Sequence, residues 1–101
     1  MKVDWTDLAF QSYEDESLFI LRKWNIDEVE KFSKLVFEFI EILKTGIIQG
    51  KSTFLTSTYF YVISKQTTIY YKVINEDMIE LLLFWNNQKD PKTLKAILTN
   101  L

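Results

Sequence analysis

The second half of the chain alternates between apolar runs and short polar breaks. Three runs rich in Val, Ile, Tyr and Phe lie between Tyr59 and Trp85, and the breaks fall at Lys65-Gln66 and at Asn75-Glu76-Asp77. β-Branched and aromatic runs of this length, interrupted by polar turns, predict a three-stranded antiparallel meander. The last run is apolar on both alternating faces, with Met78, Leu82 and Phe84 on one face and Ile79, Leu81, Leu83 and Trp85 on the other. Such a strand is expected inside the sheet, covered on both sides.

Ahead of the meander, the pattern predicts a short strand and two helices. Lys2 to Trp5 forms the strand, and a helix capped by Thr6 or Asp7 runs to about Trp24. A second helix begins at Asp27, where Glu30 completes a capping-box pattern, and ends at Thr45 before Gly46. Its apolar positions form a stripe wider than one contact face, so we expect it to touch more than one surface. These positions are Val29, Phe32, Leu35, Val36, Phe37, Phe39, Ile40, Ile42 and Leu43.

The remaining segments complete a single domain covering residues 1–101. Residues 46–57 form a crossing loop, with a short strand expected at Thr53–Leu55. Asp90-Pro91 is an N-cap followed by Pro at N1, which predicts a short C-terminal helix to about Leu98. The predicted fold is α+β, in the order β-α-α-β-β-β plus the short helix. A helical hairpin packs on one face of a small antiparallel sheet of about four strands.

Composition excludes several kinds of chemistry. The 101 residues contain no Cys and no His, which removes disulfides, thiolate catalysis, zinc sites and Ser-His triads. The cluster Glu14-Asp15-Glu16 predicts a solvated turn; a divalent-metal site is the alternative, but no further carboxylate stands at supporting spacing. We therefore expect no cofactor and no metal. No apolar run is long enough to span a membrane and no signal-peptide pattern follows Met1, so the expectation is a cytoplasmic protein without a membrane partner.

Charge divides unevenly between the two halves of the chain. Residues 1–50 hold six basic and ten acidic side chains, and residues 51–101 hold six basic and four acidic ones. The stretch from Lys51 to Asn75 carries three Lys and no acid. This composition favours either a sheet face that attracts phosphate or, more simply, aromatic strands that carry few charges of any sign.

Short motifs in a fixed order suggest a family. They are Val3-Asp4-Trp5-Thr6 with Ala9, Trp24 followed by Val29-Glu30-Lys31-Phe32, Leu43 with Gly50-Lys51, Ile63-Ser64-Lys65 with Ile69-Tyr70-Tyr71, and Phe84-Trp85-Asn86-Asn87-Gln88-Lys89-Asp90-Pro91-Lys92-Thr93-Leu94. In order and spacing they are similar to the RelE/ParE toxins of bacterial type II toxin–antitoxin pairs, which include plasmid stabilisation proteins. The resemblance implies a growth-inhibiting toxin that a cognate antitoxin neutralises.

The resemblance leaves the target open between two branches. The RelE branch cuts ribosome-bound mRNA with Arg, Lys and Tyr side chains, whereas the ParE branch poisons DNA gyrase through a binding surface. Gln88-Lys89 stands where the family commonly has Arg-Gln, and Tyr59 stands where an Arg often opens the second strand. Because both Arg positions are missing, the sequence favours the ParE-like function. The alternatives are an mRNA endoribonuclease and a degenerate toxin fold that only binds a partner.

The resemblance also supplies candidate residues. For catalysis they are Lys65, Tyr70, Lys72 and Lys89, with Tyr71 as a further possibility; strand Tyr and Lys residues more often serve packing and solubility. For partner binding they are Tyr59, Tyr61, Tyr71, Trp85, Gln88, Leu94 and Ile97. We expect the isolated chain to keep an apolar groove that an antitoxin covers with a helix or strand, unless the C-terminal helix closes it or two copies pair as a homodimer.

Overall fold

A computed structural model describes residues 1–101. It has the predicted α+β fold, with a helical hairpin on one face of a sheet and a short C-terminal helix on the other. The elements are β1 Lys2–Trp5, α1 Asp7–Lys23, α2 Ile26–Lys44, β2 Lys51–Ser52, β3 Thr58–Val62, β4 Thr67–Asn75, β5 Met78–Asn86 and α3 Pro91–Thr99. None of the three helices is long and apolar enough to cross a membrane.

The sheet has five strands in the order β1-β5-β4-β3-β2. The predicted meander is β3, β4 and β5, paired antiparallel, and β5 lies in the interior as expected. β1 runs parallel to β5, so the sheet is mixed rather than purely antiparallel. The additional short strand is β2 at Lys51–Ser52, and Thr53–Leu55 instead lies in the turn that follows. There the Thr53 hydroxyl accepts a hydrogen bond from the Leu55 backbone N–H, which favours a turn over a strand.

The helix ends follow local capping chemistry. Thr6 caps α1 by accepting a hydrogen bond from the backbone N–H of Ala9 at 3.0 Å. Asn25, not Asp27, caps α2, since its side-chain oxygen accepts from the backbone N–H of Glu28 at 3.0 Å. The second helix therefore starts at Ile26, one residue before the predicted start at Asp27.

One side of α2 is left without a partner. Phe32, Val36, Phe39 and Leu43 are buried. The prediction that α2 touches more than one surface is confirmed, since Phe32 stacks on Tyr13 of α1 and Phe39 stacks on Tyr61 of the sheet. The residues that widen the stripe, Leu35, Phe37 and Ile42, are nevertheless exposed. The reason is that α1 and the sheet both lie on the side of α2 that carries the buried stripe.

A β-bulge at Leu82 changes which way β5 presents its side chains. Tyr70 pairs with Leu83 and Tyr71 with Leu81, so Leu82 has no opposite residue on β4. An extra residue reverses the alternation of side chains beyond it. Phe84 therefore joins Ile79 and Leu81 on the face that carries the hairpin, and the predicted assignment of faces is wrong from the bulge onward.

Two cores result, one on each face of the sheet. The helix-face core lies between the hairpin and the sheet; it contains Ala9, Ile20, Phe32, Val36, Phe39, Leu43, Ile69, Tyr71, Ile79, Leu81 and Phe84. The far-face core lies under α3 and contains Leu82, Leu83, Trp85 and Leu98. The chain thus supplies cover for both faces of β5, and α3 supplies it on the far face.

Candidate functional site

A buried polar cluster joins α1 to the ends of β4 and β5. The Glu16 side chain is 4% exposed and accepts hydrogen bonds from the Thr67 hydroxyl and, at 3.1 Å, from the Asn86 amide. The Ser12 hydroxyl accepts from the Phe84 backbone N–H at 2.9 Å. The prediction that the Glu14-Asp15-Glu16 cluster is a solvated turn is therefore wrong for Glu16, because one turn of the helix faces the sheet.

A lateral cleft opens beside this cluster, between α1, the end of β5 and α3. Its volume is about 680 Å³. Arg22, which is the only Arg of the chain, lies on its wall with Lys89 and Gln88. Leu18, Phe19, Leu83 and Ile97 form apolar parts of the wall. Asp15 and Glu16 also line the cleft, so its wall combines apolar patches with charged side chains of both signs. The chain has no group of three or more His, Cys, Asp or Glu side chains placed to hold a metal ion.

The Lys candidates for catalysis do not all lie together: Lys65 and Lys89 are near one end of the sheet, and Lys72 is further along β4. Lys65 is exposed in the turn between β3 and β4, and its carbonyl accepts from the Asn87 amide at 3.1 Å. Lys72 is exposed near the other end of β4, paired with Thr58 and Glu80. At about 3.3 Å per strand residue, Lys65 and Lys72 stand roughly 20 Å apart. Lys89 lies on the wall of the lateral cleft, with its ammonium 5.7 Å from the Trp85 ring centroid.

The Tyr candidates point to opposite faces of β4. Tyr71 lies in the helix-face core with no exposed surface. Its hydroxyl donates to the Gln49 carbonyl at 2.5 Å and accepts from the Gln49 N–H at 3.0 Å. Burial raises the pKa of Tyr71 above 10.0, only partly offset by the hydrogen bond to Gln49. Tyr70 faces the far side, and burial raises the pKa of its hydroxyl as well.

These positions argue against a single centre that uses all the candidates. Lys65 and Lys89 both lie near the end of the sheet where β4 begins and β5 ends, whereas Lys72 lies further along β4 and Tyr71 is buried in the helix-face core. Both phenols resist ionisation because they are partly desolvated. Tyr71 serves as a packing and loop-anchoring residue. It is not available to a partner or a substrate unless the core opens.

The predicted partner-binding residues divide among three surroundings. Tyr59 and Tyr61 are half-buried on the helix face, stacked on Tyr71 and Phe39 with ring centroids 5.6 and 4.9 Å apart. Trp85 is 5% exposed in the far-face core. The structure therefore does not place these three on an open surface. Gln88, Leu94 and Ile97 remain accessible, Gln88 and Ile97 on the lateral cleft and Leu94 on a second groove.

This second groove, the far-face groove, has three aromatic residues in its lining. Its volume is about 520 Å³ and it is lined by Thr53, Phe54, Phe60, Tyr70, Pro91, Leu94, Lys95 and Leu98. Phe54 is 65% exposed, and the Lys95 ammonium lies 6.0 Å from its ring centroid. Sequence reasoning missed Phe60 and Lys95. Strand alternation carried the signal for Phe60, since it points away from its neighbours Tyr59 and Tyr61.

Comparison with known proteins adds information on the fold. Neither a family model nor a curated protein matches the sequence. Among solved structures, the chain is similar to one described as "Chromosomal ParDE TA system from P. aeruginosa", with a TM-score of 0.70 and 12% identity over 85% of this chain and 95% of that chain. It is also similar to "YoeB/ParE toxin from Agrobacterium tumefaciens", with a TM-score of 0.51 and 16% identity over 86% of this chain and 99% of that one. The chain has a RelE/ParE-type toxin fold.

Proposed function

We propose that this protein is the toxin of a type II toxin–antitoxin pair, that it inhibits growth by binding an essential target such as DNA gyrase, and that a cognate antitoxin neutralises it. The observation that carries the proposal is the fold, which spans most of this chain and nearly all of the ParDE-system chain. Fold alone does not define activity. The choice between targets depends on where the candidate side chains lie.

Gyrase binding is favoured over mRNA cleavage by the separation of the cationic candidates. Phosphoryl chemistry needs donors that converge on the transition-state charge. Lys65 and Lys72 lie near opposite ends of β4, and Tyr71 is sealed in the core. A binding function has no such requirement, because a toxin that traps a large target uses an extended surface.

The far-face groove is the proposed antitoxin site. Phe54, Phe60 and Tyr70 offer aromatic anchors, which dominate binding energy at protein interfaces. The adjoining helix α3 carries Lys92 and Lys95 and no acidic residue. An amphipathic antitoxin segment with acidic flanks matches this combination of an apolar groove and a basic rim.

The target is tested by inducing the protein in bacteria and assaying gyrase directly. We expect growth arrest, and purified protein should inhibit negative supercoiling of relaxed plasmid by gyrase. In parallel, mRNA from the arrested cells is mapped for new 5′ ends. Codon-specific cuts on translating ribosomes, lost in Lys72→Ala or Lys89→Ala, would instead assign the endoribonuclease activity. Normal growth despite full soluble expression would indicate that the protein is a binding module without toxicity.

The antitoxin site is tested with the product of a neighbouring short open reading frame. Phe54→Glu changes an exposed ring, so the fold is retained while an anchor is lost. We expect affinity to fall by at least about thirtyfold, the effect of losing a central aromatic contact of about 2 kcal/mol. Ile47→Glu, at a residue that is 60% exposed away from the groove, is the control and should bind normally. Equal affinities of the two variants would place the antitoxin elsewhere.

A further inference from the structure

β1 leaves one edge of the sheet without a neighbouring strand. It is terminal in the strand order and pairs only with β5. The backbone N–H of Lys2 donates to Asp77 at 2.7 Å, and that of Thr6 donates to Leu81 at 3.1 Å. In a parallel ladder alternate residues point to the same neighbour, so the backbone groups of Val3 and Trp5 point outward. An open edge of this kind is a template for another strand.

The edge is complementary to itself in charge. In β1, Val3 packs toward the helix-face core, whereas Lys2 and Asp4 project to the opposite face, with side chains 69% and 41% exposed. If a second β1 pairs antiparallel about a two-fold axis through Val3, each Lys2 stands opposite the Asp4 of the other copy. The two Val3 residues then face each other as a hydrogen-bonded pair, in which the outward N–H and C=O groups of each bond to the other. Directly opposite charges on one face stabilise strand pairing.

An uncharged apolar groove continues from the edge at Trp5. It measures about 390 Å³ and is lined by Trp5, Phe10, Tyr13, Ser33, Val36, Phe37 and Ile40. Phe10 is 57% exposed and Phe37 is 62% exposed. Strand pairing alone buries little area, and these rings add the apolar surface that a stable interface needs.

We infer that two copies of this chain associate through β1, which joins their sheets into one and covers the Trp5 groove. A two-fold interface uses the same patch on both copies. The order Lys2-Val3-Asp4 fits this symmetry. When two copies pair antiparallel, each Lys2 faces the Asp4 of the other copy, so no other partner is needed. The inference does not depend on the proposed toxin activity, because β1 lies at the opposite edge of the sheet from β2.

The test is a charge exchange followed by mixing. Wild-type protein should sediment as a dimer at micromolar concentration. Lys2→Asp places acidic side chains at both positions, and Asp4→Lys places basic ones there, so each variant alone should dimerise at least about tenfold more weakly, since two facing pairs become repulsive. An equimolar mixture of the two variants restores opposite charges across the axis and should recover the dimer as a heterodimer.

Controls separate association from folding. Lys92→Asp makes the same charge change on α3 and should leave the dimer intact. The circular dichroism spectrum of each variant at 25 °C should match that of the wild type, because the exposed Lys2–Asp4 pair at 3.8 Å contributes little to the stability of the monomer fold. A monomeric wild type, single variants that dimerise as strongly as the wild type, or a mixture that stays monomeric would each overturn the inference.

Discussion

Removal of the Glu16 carboxylate should show how much the buried polar cluster contributes to the free energy of unfolding. In Glu16→Ala the Thr67 hydroxyl, which has no exposed surface, and the Asn86 amide lose their acceptor. A buried donor left without a partner costs about 1–3 kcal/mol. Glu16 borders the lateral cleft, so water can reach part of the vacated space and rehydrate Asn86.

The net loss is the balance of three effects. Two orphaned donors and a small cavity destabilise the folded state, while release of a buried carboxylate from its desolvation cost offsets part of that loss. We estimate a net loss of about 2–3 kcal/mol in unfolding free energy, or roughly 10–15 °C in Tm for a domain of this size.

The assay is urea unfolding followed by tryptophan fluorescence and circular dichroism, with Glu16→Gln as the matched variant. Gln keeps the volume, its carbonyl can accept from Asn86, and its amide can donate to the Thr67 hydroxyl, which rotates to accept. Its cost should stay within about 1 kcal/mol. A stability of Glu16→Ala equal to wild type, or an equal loss in both variants, would refute the assignment of this cluster as a satisfied network.

Four further outcomes follow from backbone space and from phenol burial. Gly50→Ala should prevent normal folding, because a Cβ there would stand 1.9 Å from the Phe60 carbonyl oxygen and the backbone has a φ of +81°. Gly46→Ala, with a φ of +89° but open space around it, should cost only about 1 kcal/mol in thermal melts. Tyr71→Phe removes both hydrogen bonds to Gln49 and should cost about 1–2 kcal/mol in urea unfolding, and an unchanged midpoint would contradict the anchoring role. Because burial raises the pKa of Tyr71, the folded state keeps its proton longer than the unfolded state; wild-type stability should therefore fall as pH rises above 10.0, and less so in Tyr71→Phe.

Local signals in the sequence determined the secondary structure and the fold class. α2 is a long amphipathic helix that ends just before Gly46, and α3 starts at Asp90-Pro91, so short-range chemistry specifies both. The three strands of the meander follow from apolar runs separated by polar turns. The motif order then indicated the RelE/ParE-type fold, which the structural likeness supports.

Which residues are accessible was decided only by the tertiary structure. The bulge at Leu82 exchanged the faces of β5 beyond it, since a period of two cannot reveal an inserted residue. Tyr71 looked like a candidate site residue because it lies on an aromatic strand, but the hairpin covers that face and seals it. Glu16 is acidic like its exposed neighbours Glu14 and Asp15, but its position around the axis of α1 directs its side chain into the sheet.

The candidate site shows the same division. The sequence identified which Lys and Tyr side chains were available, but their convergence depends on strand register and on the position of α3, which are long-range properties of the packed chain. Strand pairing placed Lys65 and Lys72 toward opposite ends of β4, and the packing of α3 created the groove around Phe60 and Lys95. Residue type is encoded locally, whereas juxtaposition arises only when distant segments bury their apolar faces against each other.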